Sequence, residues 1–198
     1  MGNELSETKV RVADPAALGI FGLAMATLVA SSEKMVLTTG TGGLLPWVLF
    51  MGSVAQLMAS AGEYKRDNIF AATAFGAFGL FWISVGLVWY LPTMGIAADK
   101  AQLGFAFIGY LVFCTYMTYG AASLNKAFLA IFLLVDLLLL CLIFTVFFGI
   151  PGYLAGIAEL LVSVASFYTA AAITFKGMAG FEVLPLGKPV LKLKKFEI

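Results

Sequence analysis

The sequence has no histidine and few charged residues. Among its 198 residues, 12 are Lys or Arg, 11 are Asp or Glu, and only two are cysteine. Histidine is the commonest metal ligand and the side chain that titrates nearest neutral pH. A nearly neutral chain with no basic stripe is also a poor candidate for binding nucleic acid. With no phosphate-binding loop, no metal-ligand cluster and no nucleophile beside a base, the sequence predicts no enzyme, no metal and no cofactor.

What the sequence does contain is hydrophobic residues, which make up 62% of the chain. They form six apolar runs, each near the ~20 residues that a membrane-spanning helix needs. A backbone that faces lipid must satisfy its hydrogen bonds within its own segment, which favours helices. We therefore expect an all-α integral membrane protein with six transmembrane helices over residues 15–175, between tails at 1–14 and 176–198. The six runs cover about 15–32, 44–61, 69–91, 101–122, 127–148 and 153–175.

The basic residues are distributed unevenly along this predicted topology. Six crossings place both tails on one side, and the tails together with Lys65, Arg66 and Lys126 hold ten of the twelve basic residues. Only Lys34 and Lys100 fall in the opposite loops. Basic loops remain in the cytoplasm. The sequence thus predicts a multi-pass protein of the plasma or inner membrane with both termini in the cytoplasm.

A few polar side chains lie inside the apolar runs, where an ionisable group is costly and is a functional candidate. Asp136, in the middle of the fifth run, is either a proton-carrying or pore-lining acid or a hydrogen-bonded acid that joins two helices. For Glu63 and Glu159, an interfacial or helix-bonding role is favoured over catalysis. Gln56 needs a polar partner in lipid, so it should face the bundle or a pore.

Several segments resemble, in the right order, the motifs of the acetate uptake transporter family, also called the succinate-acetate permease family. The family's N-terminal signature reads roughly Asn-Pro-Ala-Pro-Leu-Gly-Leu and is matched by Asp-Pro-Ala-Ala-Leu-Gly-Ile at 14–20. The other matching segments are Gly-Ser-Val-Ala-Gln at 52–56, Glu-Tyr-Lys-Arg-Asp-Asn-Ile-Phe at 63–70, Thr-Ala-Phe-Gly-Ala-Phe-Gly-Leu-Phe-Trp at 73–82, Ala-Ser-Phe-Tyr at 165–168 and Val-Leu-Pro-Leu-Gly at 183–187.

This resemblance implies a six-helix protomer with its own pathway, assembled into a homo-hexamer in the lipid bilayer. It implies transport of acetate and related short carboxylates, with succinate among them, either coupled to protons or channel-like. The family's apolar constriction falls on Leu23, Phe78 and Val135, which all differ from the family's residues but stay apolar. The other positions that match pathway or motif residues are Asp14, Pro15, Leu18, Gly19, Gln56, Glu63, Asn68, Phe81 and Tyr168.

Two acidic residues depart from the family pattern. Asp14 replaces the motif asparagine, and Asp136 takes the place of a threonine beside the constriction position of the fifth run. An added negative charge repels a carboxylate unless it is protonated, which makes Asp136 a candidate proton carrier. Two alternatives remain open: a channel for another small solute, such as ammonia or a proton, and a membrane assembly subunit that transports nothing.

Overall fold

The computed structural model describes residues 13–192, and every regular element in that range is helical. The all-α prediction is therefore confirmed for this part of the chain. In chain order the elements are α1 (Ala16–Lys34), a π-helical segment (Trp47–Val54) that runs directly into α2 (Ala55–Tyr64), α3 (Ile69–Tyr90) with a 3-10 turn after it (Leu91–Met94), α4 (Lys100–Ala121), α5 (Lys126–Phe148) and α6 (Tyr153–Ala179).

Five of these helices are long and apolar enough to cross a membrane: α1, α3 with its 3-10 turn, α4, α5 and α6. The predicted second span is divided between the π-helical segment and α2, which has only 10 residues. A helix of that length covers about half of the ~20 residues that a crossing requires. The count of six crossings thus stays a prediction.

Short polar residues and glycines set the helix ends. The side-chain oxygens of Asn68, Asp99 and Asn125 accept backbone N–H groups in the first turns of α3, α4 and α5, the ordinary capping arrangement. Gly149 and Gly180 follow α5 and α6 with φ of 68° and 77°, a left-handed conformation that glycine adopts without steric cost. These two glycines therefore let the chain turn sharply where α5 and α6 end.

Glycines also let the helices approach closely. A Cβ atom at Gly19 of α1 would lie 2.6 Å from the Phe75 ring of α3, and one at Gly79 of α3 would lie 2.8 Å from Leu57 of α2. Apolar surroundings give no hydrophobic drive for helix association, so close van der Waals packing between small residues has to supply it. This packing holds α1, α2 and α3 together.

The C-terminal segment turns back onto the bundle. Helix α6 continues to Ala179, four residues past the predicted end of the sixth run. The segment that follows α6 is held by two hydrogen bonds. The Tyr168 hydroxyl of α6 donates to the Pro185 carbonyl at 2.8 Å, and the Val190 N–H donates to the Ala122 carbonyl at 2.8 Å. The predicted boundaries at 14 and 176 remain predictions, because most of the first tail and the last six residues, with Lys194 and Lys195, lie outside the described residues.

Candidate substrate route

Four cavities form a row between the helices, and each shares lining residues with the next. The first, the Asn68 mouth, measures about 480 Å³ and lies where α1, α3 and α5 begin. A narrow cavity of about 30 Å³ and a wide cavity of about 170 Å³ follow. The fourth, the Lys34 mouth, measures about 590 Å³ and lies where α1, α3 and α5 end. Successive pairs share Phe70, Ala71 and Phe128, then Leu23, Phe78 and Val135, and finally Lys34, Trp89, Leu103, Leu142 and Val146.

The three residues predicted to form the constriction meet between the narrow and the wide cavity. Leu23 from α1, Phe78 from α3 and Val135 from α5 are exposed by only 8%, 8% and 5%, and each lines both cavities. The Phe78 ring packs against Phe113 at 5.9 Å and Phe132 at 6.2 Å between centroids. Such aromatic contacts fix the ring in place, so the apolar barrier between the two cavities is firmly held.

The narrow cavity contains one polar side chain without a complete set of partners. Gln56 is fully buried, and its Nε2 donates to the Gly52 carbonyl at 2.8 Å. Its Oε1 accepts no hydrogen bond from any residue between 13 and 192, the part of the chain that the structure describes. A buried acceptor left unpaired costs free energy, so a donor that reached this oxygen, such as water or the O–H group of an acid, would bind favourably.

Charged side chains of both signs line the Asn68 mouth. Arg66 lies 2.8 Å from Asp14 Oδ1 and 3.5 Å from Glu63 Oε1, and Asn68 Nδ2 donates to Glu63 Oε2 at 2.9 Å. Asp14 Oδ1 also accepts the Ala16 N–H at 3.1 Å at the start of α1. The hydrogen bond to Asp14 raises the pKa of Arg66 above its usual value. The permanent charge of Arg66 therefore offsets the negative charge that Asp14 adds near the route.

The wide cavity is lined mainly by apolar side chains, Phe81 among them. Its polar end is an ion pair between Lys34 of α1 and Glu159 of α6, whose atoms Nζ and Oε2 lie 2.8 Å apart. Lys34 also lies over the ring of Trp89, 5.7 Å from its centroid. The Lys34 ammonium thus lies where the wide cavity meets the Lys34 mouth.

Five of the predicted site residues line none of these four cavities. Pro15 packs against Gly62 and Gly19 against Phe75, so both fix the start of α1. Leu18 points outward and is exposed, and Tyr168 holds the C-terminal segment. Asp136, although next to Val135, faces α4 instead of a cavity.

Asp136 joins two helices. The Thr118 hydroxyl of α4 donates to Asp136 Oδ2 of α5 at 2.6 Å, while Oδ1 is buried and has no hydrogen-bond partner among the described residues. Of the two roles left open by the sequence, this contact favours the hydrogen-bonded acid that links helices. A proton carrier would have to be reached from the substrate route, and Asp136 lines none of the four cavities.

Sequence reasoning did not find the pairing of Lys34 with Glu159, nor that of Arg66 with Asp14 and Glu63. Lys34 and Glu159 are 125 residues apart, and each reads alone as a loop or interfacial charge. The one usable signal was the cost of placing Glu159 in an apolar run, which requires a partner somewhere in the fold.

Comparison with known proteins places these features in a family. A family model described as the GPR1/FUN34/yaaH family matches residues 3–188. The chain is 28% identical over 182 residues to the succinate-acetate/proton symporter SatP of Escherichia coli (strain K12), covering 90% of this chain and 97% of that protein. It is 31% identical over 175 residues to ammonia transport outward protein 2 of Saccharomyces cerevisiae, covering 81% of this chain and 61% of that protein. A solved structure of the bacterial acetate channel SatP matches with a TM-score of 0.85 and 26% identity, over 89% of this chain and all of that chain.

Proposed function

Because this chain belongs to the GPR1/FUN34/yaaH family, we propose that it moves acetate across a membrane along the row of four cavities. It is a multi-pass membrane protein, and the resemblance to acetate uptake transporters that its motifs indicated is confirmed. The relatives named above are a symporter, a channel and a transport protein, which agrees with the expectation that the chain is not an enzyme.

The observation that carries the proposal is the meeting of Leu23, Phe78 and Val135 between the narrow and wide cavities. A dry cavity of about 150 Å³ can bind a molecule as large as benzene, so the wide cavity of about 170 Å³ has room for acetate. The narrow cavity, at about 30 Å³, has room for one or two water molecules. Passage is therefore limited at the apolar barrier and the narrow cavity beside it.

The route is suited to an acid that crosses together with a proton. Taking a bare carboxylate out of water into apolar surroundings is very costly, and the lining at the constriction offers it no charge. A neutral acid avoids most of that cost and can donate its O–H to the free Oε1 of Gln56. The proton then travels on the substrate, and Asp136 is not needed to carry it.

The finer topology is part of the same proposal. We take the π-helical segment and α2 together as the second of six crossings, which puts both tails and the Asn68 mouth in the cytoplasm by the distribution of basic residues. The Lys34 mouth then opens on the other side. The homo-hexamer and the transport of succinate remain predictions from the family resemblance.

One alternative has its own support. A relative is named for outward ammonia transport, and an apolar barrier favours neutral molecules over ions. In that case the same cavities would conduct ammonia and would be indifferent to acetate. The last alternative, an assembly subunit, predicts no flux of either solute.

The test is uptake of labelled acetate into proteoliposomes, with and without an inward proton gradient, and with protein-free vesicles to subtract diffusion of the undissociated acid. We expect flux that rises with the gradient. Leu23→Trp should reduce it at least tenfold by filling the constriction. Leu28→Trp is the matched control, since Leu28 lies on the exposed face of the same helix, and it should keep most of the flux.

Each outcome separates the alternatives. Ammonia flux in the same vesicles, followed by internal alkalinisation, combined with no acetate flux would replace the proposal with the ammonia channel. Acetate flux that Leu23→Trp leaves unchanged in a monodisperse protein would remove the cavities from the route. No flux of either solute would favour the assembly subunit.

A further inference from the structure

A buried ion pair stands at the junction between the wide cavity and the Lys34 mouth. The side chains of Lys34 and Glu159 are exposed by only 16% and 3%. Lys34 lines both the wide cavity and the mouth, whereas Glu159 lines only the wide cavity. A buried pair of charges seldom adds stability over apolar residues of similar volume, because desolvation offsets the attraction. The position of this pair on the route therefore suggests a role in binding.

Three helices hold the Lys34 ammonium in one place. A Cβ atom at Gly156 of α6 would lie 3.0 Å from Lys34 Cβ and 2.7 Å from Met35 Cγ, so the end of α1 lies directly against α6. Glu159 is one turn further along α6 and on the same face, within hydrogen-bond distance of the ammonium. Trp89 of α3 places its ring beneath the same group, an attractive contact for a cation.

These contacts leave the ammonium able to bind a second anion. A lysine ammonium has three N–H donors, and the carboxylate of Glu159 accepts one of them at 2.8 Å. The Trp89 ring attracts the charge through its face without occupying a donor as a carboxylate oxygen does. The other two N–H donors are on the Lys34 side chain, which lines both the Lys34 mouth and the wide cavity.

We propose that Lys34 is the group that binds the carboxylate of the substrate at this junction, and that Glu159 is a resident carboxylate that positions the ammonium and competes with the incoming one. This inference rests on the proposed transport of acetate. The methyl group of a bound acetate would point into the apolar wide cavity. Because Lys34 and Glu159 together carry no net charge, the incoming anion meets a cation that is already partly neutralised, so binding is reversible.

The test is the dissociation constant of acetate, obtained from the rise in the melting temperature of the purified full-length protein in detergent as sodium acetate replaces sodium chloride at constant ionic strength. A ligand that binds only the folded state raises its stability by RT ln(1 + c/Kd), where c is the free ligand concentration, so the dependence on acetate concentration gives the dissociation constant. The variants are Lys34→Gln/Glu159→Gln, Glu159→Gln and Lys34→Arg. The double variant is needed because Lys34→Gln alone leaves Glu159, exposed by only 3%, as an unpaired buried charge, which is strongly destabilising. In Glu159→Gln the unpaired charge is that of Lys34, which lines the mouth and keeps its contact with Trp89.

We expect the dissociation constant of acetate to rise at least tenfold in the double variant and to fall about threefold in Glu159→Gln, which frees the ammonium. Lys34→Arg, which keeps the charge, should stay closer to the native protein than the double variant does. Lys100→Gln serves as the control for general attraction by positive charge. Lys100 lies at the same mouth but is exposed, so its effect should remain within twofold because solvent and salt screen it.

Three results would overturn the inference: no stabilisation of the native protein by acetate over chloride, equal dissociation constants in the native protein and the double variant, or weaker binding in Glu159→Gln. The vesicle assay separates this failure from failure of the proposed function. Acetate flux without dependence on Lys34 would leave transport standing and remove the site. Lys34-dependent binding without acetate flux would leave the binding site standing and remove transport.

Discussion

Shortening Val135 to alanine tests where the route distinguishes acids of different length. Val135 is 5% exposed and lines both the narrow and the wide cavity. The substitution deletes two methyl groups at the barrier and leaves Leu23 and Phe78 in place. The cavities of about 30 and 170 Å³ should then be joined more openly. Acids longer than acetate should benefit most.

The size of the effect follows from the fit of one methylene group. A single extra methylene in a tight apolar site is worth about 1–3 kcal/mol, or roughly 10–200-fold. Propionate, which is longer than acetate by one methylene, should therefore cross the native barrier at least about tenfold more slowly. Val135→Ala opens space for two carbons, which is more than the one extra methylene of propionate needs. The ratio of acetate flux to propionate flux should therefore fall to about two. That fivefold change corresponds to about 1 kcal/mol in the barrier.

The assay is uptake of labelled acetate and labelled propionate by vesicles of the same preparation, each corrected with protein-free vesicles. Leu133→Ala is the matched control, because it shortens an apolar side chain on the exposed face of the same helix. An unchanged ratio in folded Val135→Ala, or an equal change in Leu133→Ala, would refute the assignment of selectivity to this barrier.

Two further substitutions probe the packing around the route. Asp136→Asn should keep the proton-gradient dependence of acetate flux and destabilise the protein by at most about 1.7 kcal/mol, the upper value for hydrogen bonds between membrane helices such as the one from Thr118. Loss of the gradient dependence would return Asp136 to the role of proton carrier. Gly19→Val should destabilise the protein by about 1–3 kcal/mol through overpacking, because a Cβ atom there already falls 2.6 Å from the Phe75 ring. An unchanged midpoint of thermal unfolding in detergent would show that α1 yields without cost.

Most of the fold could be predicted from the sequence because long apolar runs and short polar caps coincide with the helices. The run at 127–148 corresponds to Lys126–Phe148, with Asn125 as its cap. The π-helical segment could not be predicted, since an apolar run has the same composition whichever helix type it adopts. The π-helical segment packs closely against α1. A side chain at Gly22 of α1 would collide with the Met51 carbonyl inside that segment, so α1 lies directly against the backbone of the π-helical segment.

The site was only partly predictable for a related reason. Nothing in a single sequence states that residues 23, 78 and 135 are neighbours, and their assignment came from the positions they occupy in family motifs. Burial cost did identify Gln56 and Asp136 as residues that need explaining. It could not say that Gln56 faces a cavity while Asp136 faces Thr118, because that difference depends on how the helices are rotated about their axes.

The charges along the route support a common design at its two ends. Arg66 at the Asn68 mouth and Lys34 at the opposite junction are each held by a carboxylate at 2.8 Å, from Asp14 and Glu159. A route must attract its ion strongly enough for entry and weakly enough for release. An unpaired cation beside an apolar cavity would hold a carboxylate too tightly, and pairing it with a resident acid weakens that hold. The departure at Asp14 from the family asparagine supplies Arg66 with a resident acid, as Glu159 supplies one to Lys34.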